Sequence, residues 1–377
     1  MSTLPYRSWV EISRGQIAAN FRAVRGLVGP GVEVMPVVKA DAYGHGAIEV
    51  ARVLAAEGAR WLAVSSVEEG VALRGAGIGG RIVVMADFLA FERGALVEFD
   101  LTPVVHSLGD LAELNRMAQA ARRRVKYHLK VDSGMGRLGV RPDAGEILAA
   151  IGGARQAEFE GLITHFASSA DYTSPQTEEQ IAVFESLLEG LRRAGVAPHW
   201  VHLSSTNPVA YGRRLAWRNM VRPGHAIYGY VSPARGAAPA RALDVKPALS
   251  WKATILAVKD VAEGARIGYG GMFRAPQPMR ISVLAVGYAD GYPHRLSNKG
   301  KVIAAGRLAP ILGAVSMDLT TIDVSHAPHL KPGDTVTLLG REGDASLDAQ
   351  QIARAAGTIS YSVLTNINPR VKRVYVE

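Results

Sequence analysis

Cysteine is absent from all 377 residues. Its absence removes a disulfide framework, thiolate catalysis and Cys-ligated zinc together, and favours a reducing compartment only weakly. Long apolar stretches are missing too: no window approaches the roughly 18 charge-free residues of a membrane span. The N-terminus, MSTLPYRSWVEISRGQI, lacks the basic, apolar and small-residue succession of a secretory signal. The expectation is a cytoplasmic protein with no membrane partner. Acidic residues are outnumbered, 34 against 43 Lys and Arg, for a formal charge of +9. Such a balance draws anions, so nucleic acid, anionic lipid and anionic cofactors all enter as candidates. The basic residues are scattered, however. Their nearest approach to a cluster, ARRRVK at 121–126, has no interleaved aromatics and reads as a solvated helix end, so nucleic acid is not expected. No repeat of 20–50 residues is present, and no metal site is expected.

What is there suits a large globular core. Hydrophobic residues make up 48% and charged residues 20%, within the range of ordinary folded domains. The chain exceeds one typical domain of roughly 100–200 residues, although a barrel uses about 250. From about residue 32 to 230, short β-branched runs alternate with stretches of helical period such as AIEVARVLAAE and TEEQIAVFESLLEGLRR. The runs are VEVMPVVK ending at Lys39, WLAVSS at 61, RIVVMA at 81, LTPVVHS at 101, VKYHLKVD at 125, EFEGLITHFA at 158, HWVHLSS at 199 and NMVRPGHAIYG at 219. Eight runs separated by helices predict a (β/α)8 TIM-type barrel. A doubly wound open sheet is the alternative, but the first strand-helix turn lacks GxGxxG. After about residue 240 helical period disappears and strand-like runs follow one another, as in RISVLAVGYADG and KPGDTVTLLG. The fold expected is therefore α/β, a barrel over 1–240 followed by a mostly-β C-terminal domain over 241–377. The first ten or so residues are left open to pack with that domain, and PARGAAPARA at 233–242 is read as the linker.

In such a barrel chemistry belongs at the C-terminal ends of the strands. The polar residues there are Lys39 after run one, Lys130 and Asp132 after run five, and His165 after run six. Run seven closes on Ser204, Ser205 and Thr206, and run eight on Arg222, Gly224 and His225. A lysine behind an apolar run either snorkels its ammonium to the rim or loses hydration, so that its pKa falls and it becomes a nucleophile or base able to form a Schiff base. SSTN and RPGHAIYG offer hydroxyls and backbone amides where barrels commonly bind phosphate, though Gly224 alone serves equally to close a turn. A phosphate site opposite a Schiff-base lysine suggests pyridoxal phosphate (PLP).

At this point the motifs carry a resemblance. VVKADAYGHG at 37, KVDSGMGRLG at 130, THFASS at 164, VRPGHAIYG at 221, IGYGG at 267, VGYADGY at 286, GAVSMD at 313 and ISY at 359 resemble, in order and over nearly the whole chain, the PLP-dependent alanine racemase family. The resemblance implies a homodimer with active sites shared between subunits, acting on a small amino acid. Lys39 matches the lysine that holds PLP covalently and serves as base for one enantiomer. Tyr269 matches the base for the other, supplied by the partner subunit; racemisation needs a base on each face of a planar carbanion. Tyr43, Ser205, Thr206, Gly224, His225 and Tyr361 fall at cofactor-contacting positions, most of them around the phosphate. Arg222 matches the arginine set against the pyridine nitrogen, where a permanent cation keeps that nitrogen unprotonated. His165 and His202 would join a network running from Tyr269 toward Arg222. Arg137 resembles the arginine near the substrate carboxylate, oriented in many members by a carbamylated lysine whose place Lys130 takes. Met317, Asp318 and Tyr288 match residues at the substrate carboxylate and the entrance.

Some positions depart from the family pattern. Ser205 then Thr206 stand where asparagine then serine are usual, His225 replaces a hydrophobic residue, and Ser362 follows Tyr361 where glutamate is common. These leave the reaction type in place and put substrate breadth in question, so a racemase of broader specificity is one alternative. A barrel-type PLP amino-acid decarboxylase is another, although those enzymes resemble the chain less and use a cysteine that it lacks. A PLP carrier without catalysis would account for the barrel half alone.

Overall fold

Among the described residues, eight parallel strands follow one another in chain order and close on themselves. The structure, a computed structural model, describes residues 6–86 and 89–377. The strands are Glu33–Val34, Trp61–Val64, Arg81–Val84, Thr102–Val105, Val125–Lys130, Ala157–Ile163, Trp200–His202 and Met220–Val221. The second to seventh form one sheet in sequence order. The first pairs with the eighth at Glu33–Met220 and Val34–Val221, and its continuation bridges the second at Val37–Ala63. Between the seventh and eighth, the Arg222 amide donates to the Ser204 carbonyl at 2.9 Å. This is the expected barrel.

Two physical features give it. The second to fourth strands are mostly apolar, as parallel strands covered on both faces must be; Ile82, Val83, Val84, Val104 and Val105 are fully buried. The helices between them bury one stripe each. In Gln176–Arg193 that stripe is Gln180, Phe184, Leu187, Leu188 and Leu191, while Glu178 and Glu179 open the helix and Arg192 and Arg193 close it in the sense its dipole favours. Ser66, Ser107 and Asp143 cap the helices after the second, fourth and fifth strands, each accepting from the third amide of its helix.

The chain divides into two compact units. The barrel comprises residues 17–42 and 47–246, and the second comprises residues up to 16, 43–46 and 247–377. The second unit is built on a nine-stranded sheet. Its long strand Leu249–Val261 pairs antiparallel with Ser8–Ser13, which pairs in turn, parallel, with the C-terminal strand Lys372–Val376. Ser8–Ser13 alternates buried and half-buried residues, and Trp251, Ile255, Ile303 and Leu339 are fully buried beneath the sheet.

Helical period does not disappear from this half, contrary to the reading above. Ala349–Ala356 and Ser360–Thr365 are helices. The first has a reciprocal cap between Asp348 and Gln351 and buries Ala349, Ile352, Ala353 and Ala356. That apolar stripe is mostly alanine, which made its period easy to overlook beside the surrounding β-branched runs, whereas D-x-x-Q before it is a legible start signal. Among the described residues no helix is long and apolar enough to cross a membrane.

Candidate active site

The barrel mouth gathers positive charge. Lys39 follows the first strand, Lys130 ends the fifth, Arg137 lies in the loop after it, and Arg222 follows the eighth. Burial lowers the pKa of Lys39, Arg137 lowers it further, and Glu69 opposes them. Lys130 is pulled down to about 8, first by burial, then by Arg137 and Arg222, against Asp132. Burial pushes Arg222 down to about 9, which leaves it charged at neutral pH. His165 falls to about 3 through burial and the fields of Arg222, Lys130, Arg137 and Lys39. These groups stand in one another's field, and an anionic ligand at the mouth would relieve them all.

Arg222 is buried and spends its guanidinium on backbone. Nη1 donates to the His202 carbonyl at 2.7 Å, and Nη2 to the carbonyls of Thr164 at 2.7 Å and Leu203 at 3.2 Å. Nη2 also lies 3.4 Å from Nδ1 of His165. A guanidinium has donors only, and His165 is neutral, so Nδ1 accepts and the ring proton sits on Nε2.

The loops after the seventh and eighth strands meet through Thr206, whose Oγ1 accepts from the Ala226 amide at 3.2 Å. Ser205 occupies the position before the short helix Thr206–Ala210 without a side-chain bond to it, and Gly224 precedes the 3-10 turn His225–Tyr228. The His225 ring stacks on Tyr230 with centroids 5.0 Å apart. Thr206, Gly224 and His225 are buried and Ser205 is half-buried.

Lys39 is followed by a strained run. Ala40, Asp41, Ala42 and Tyr43 all have φ between 52° and 54°, a left-handed turn that costs residues with a Cβ roughly 1–2 kcal/mol each. Three hydrogen bonds hold it: Ala40 amide to Glu69 Oε1 at 2.6 Å, Ala47 amide to Asp41 Oδ1 at 2.8 Å, and Ala42 amide to the Val38 carbonyl at 2.9 Å. The loop that carries Arg137 is held differently. Asp132 Oδ1 accepts from the amides of Gly134 at 3.1 Å, Met135 at 2.9 Å and Gly136 at 3.0 Å. Burial opposes ionisation of Asp132, but these amides and Lys130 outweigh it and hold the carboxyl below its usual range.

Beneath the mouth runs a buried polar chain. His202 Nε2 lies 2.8 Å from His128 Nδ1, and His128 Nε2 lies 3.4 Å from Glu160 Oε2. Glu160 takes a two-pronged contact from Arg81, at 2.7 and 3.2 Å, and one from Lys126 at 3.1 Å. Burial alone would raise Glu160; His128, Arg81 and Lys126 together hold it at about 2. Gly161 is required here, since a Cβ on it would stand 2.6–2.7 Å from the His128 ring.

The remaining candidates lie in the second unit. Tyr43 and Tyr361 place their ring centroids 6.1 Å apart. Tyr269 sits in a glycine-flanked turn and is 77% exposed, with Met317 at 55% and Tyr288 also exposed. The amides of Tyr288 and Ala289 donate to the carbonyls of Ser316 at 3.0 Å and Met317 at 2.9 Å, so the turn that carries Tyr288 and the Met317 loop form one piece. Gly287 permits this, because a Cβ there would collide with both carbonyls. Asp318 is fixed by Arg370, which bonds it at 2.7 Å and Asp290 at 2.6 Å.

Reading the sequence missed Glu69, His128 and Glu160. Signals for two of them were present. S-V-E-E at 66–69 is a capping-box pattern, and Lys126, His128 and Lys130 share one face of a strand at period two, which puts a polar row inside the barrel. Glu160 gave none, since the fifth and sixth strands shift register beside it.

The comparisons with known proteins cover the same ground. Residues 12–233 match the alanine racemase N-terminal domain and residues 248–375 the alanine racemase C-terminal domain. An alanine racemase of Halothermothrix orenii is 40% identical over 369 residues, 98% of this chain and 96% of that protein. The solved alanine racemase of the D-cycloserine producer Streptomyces lavendulae superposes with a TM-score of 0.92 at 32% identity, over 99% of this chain and 98% of that one. That of Bartonella henselae, solved with covalently bound pyridoxal phosphate, superposes at 0.87 and 26% identity, over 99% of this chain and all of that one. With both halves matched in order and relatives this similar along its whole length, the chain belongs to the alanine racemase family.

Proposed function

We propose that the protein is a cytoplasmic, homodimeric enzyme that interconverts L- and D-alanine with PLP, using Lys39 and Tyr269 of the partner subunit as bases on opposite faces of the substrate. The observation that carries this reading is Lys39 itself: an amine of lowered pKa beside three further cations at the barrel mouth. Such an amine can carry a cofactor and gives up its proton more readily than an ordinary lysine, and the cations around it suit an anionic cofactor. PLP, when bound, supplies an electron sink that makes the amino-acid α-proton acidic.

The protein's own groups do the rest. Lys39 Nζ takes or returns the α-proton on one face, and Tyr269 Oη of the partner subunit does so on the other. The exposure of Tyr269 and Met317 in a single chain supports their use across a subunit interface. Arg222, held by three carbonyls, would present a permanent charge to the ring nitrogen of the bound cofactor, and His165, with its proton on Nε2, couples to Arg222. Thr206, Gly224 and His225 serve the phosphate, Ser205 stands beside them at the cofactor, and the resemblance gives Tyr43 and Tyr361 the phosphate as well. Arg137, Met317 and Asp318 serve the substrate carboxylate, and Tyr288 the entrance. Lys130, with its pKa near 8, keeps a share of neutral amine able to take up carbon dioxide; the resulting carbamate would face Arg137 as an anion, and native mass spectrometry would register one added carbon dioxide per chain.

The two-base assignment has a direct test. In Tyr269→Phe, α-proton exchange in deuterated water should persist for one enantiomer only; equal loss for both would contradict it. Mixing Lys39→Ala with Tyr269→Phe subunits should restore some activity in heterodimers, and no recovery despite proven subunit exchange would count against sites shared between subunits.

A further inference from the structure

Glu69 stands outside every role assigned so far, yet it is the acidic group nearest in influence to the reactive lysine. Its carboxylate joins two segments. Oε1 accepts from the Ala40 amide at 2.6 Å, one residue past Lys39, and Oε2 accepts from the amides of Ser65 at 2.7 Å and Ser66 at 3.3 Å, at the end of the second barrel strand. The Glu69 amide donates in return to Ser66 Oγ at 3.2 Å, so the carboxylate is locked to the helix Val67–Gly75. Ala40 opens the left-handed run, which local preference would unwind and which persists only where surrounding bonds over-determine it.

We propose that Glu69 is the positioning residue for Lys39: through the Ala40 amide it ties the strained turn to the rigid start of the neighbouring helix, and so fixes where the lysine amine stands at the barrel mouth. The inference rests on Lys39 being the reactive lysine of the proposed function. It goes beyond helix capping, because the cap itself needs only Oε2 and Ser66, whereas Oε1 is committed to the lysine's own segment. The charge acts in the same place. Of the groups in the field of Lys39, Arg137, Lys130 and His165 bear positive charge or none, and Glu69 opposes Arg137.

The test uses the full-length chain freed of cofactor, with the pH dependence of Lys39 acetylation by acetic anhydride read by mass spectrometry, and racemisation kinetics on the reloaded enzyme. Glu69→Gln keeps the size, removes the charge and turns an amide donor toward the backbone amides. It should move the Lys39 midpoint to lower pH and cut kcat about tenfold, the scale on which a displaced catalytic group is felt, with KM changed less than twofold. Glu69→Asp should hold the wild-type midpoint and lose part of kcat through shorter reach. Ser66→Ala, which breaks the cap and leaves the Ala40 bond, should lower the melting temperature and leave the Lys39 midpoint in place. If Glu69→Gln lowers the melting temperature like Ser66→Ala while midpoint and kcat stay at wild-type values, Glu69 is only a cap and the inference is overturned. If Glu69→Gln does not fold, Glu69→Asp decides: a reduced kcat at an unchanged midpoint supports the inference, and an unchanged kcat overturns it. A Lys39→Ala variant that still racemises alanine would overturn the proposed function, and this inference with it, whatever Glu69 does.

Discussion

Arg222 Nη2 and His165 Nδ1 face each other at 3.4 Å, and the arginine fixes which ring nitrogen of the histidine carries the proton. The same guanidinium closes the carbonyl ends of the sixth and seventh strands. One side chain therefore sets both the charge at the mouth and the geometry of the loops around it. In Arg222→Lys a single ammonium cannot span three carbonyls and a ring nitrogen, and buried acceptors are left without donors. The variant should lose about 2–3 kcal/mol of unfolding free energy by urea titration and at least tenfold in racemisation rate; unchanged stability would show that the carbonyls do not depend on the fork.

Four histidines are held neutral in the folded state. Burial, followed by neighbouring charges, lowers His106 to about 4 and His165 to about 3, His128 below its ordinary value and His202 well below it. The unfolded chain protonates each near 6.5, so below that pH it binds protons that the folded chain refuses. Stability is thus full above about pH 6.5 and is lost on the way down toward the folded values, at roughly 1.4 kcal/mol per pH unit for each such proton. Urea midpoints of the cofactor-free protein should fall steeply from pH 7 to 5, and His165→Asn should make the fall shallower; an equal slope in the variant would contradict the assignment of His165.

Gly161 and the His128 ring compete for one space. Gly161→Ala should push the ring aside, part it from His202 and Glu160, and cost about 1–3 kcal/mol of stability. His128→Ala in the same chain should recover part of that loss, since the collision is gone. No recovery in the double variant would mean that the strain lies in the backbone and not at the ring.

The barrel was legible because its signal is repeated: eight apolar runs, each followed by a helical stripe, point to one architecture even where a strand shrinks to two residues, as at Glu33–Val34 and Met220–Val221. Lys39, Lys130, His165 and Arg222 were legible for the same reason, as the polar residues that close those runs. What joins them was not. Glu69 reaches Ala40 from 29 positions away, and Glu160 reaches His128 only because the register shifts between Tyr127 and His128. Neither contact leaves a local pattern, although the S-V-E-E capping box marks Glu69 itself. The left-handed run at 40–43 is harder still, since Ala, Asp, Ala and Tyr have no common preference for positive φ and adopt it only because surrounding hydrogen bonds impose it.

The central claim is that this chain racemises alanine through Lys39. The most direct measurement is the optical rotation of L-alanine over time with purified protein and PLP, beside Lys39→Ala. With wild-type protein the rotation should decay to zero while the alanine concentration holds, and with the variant it should stay constant. Rotation that persists with wild-type protein carrying bound cofactor, or carbon dioxide released from an amino acid in its place, would contradict it.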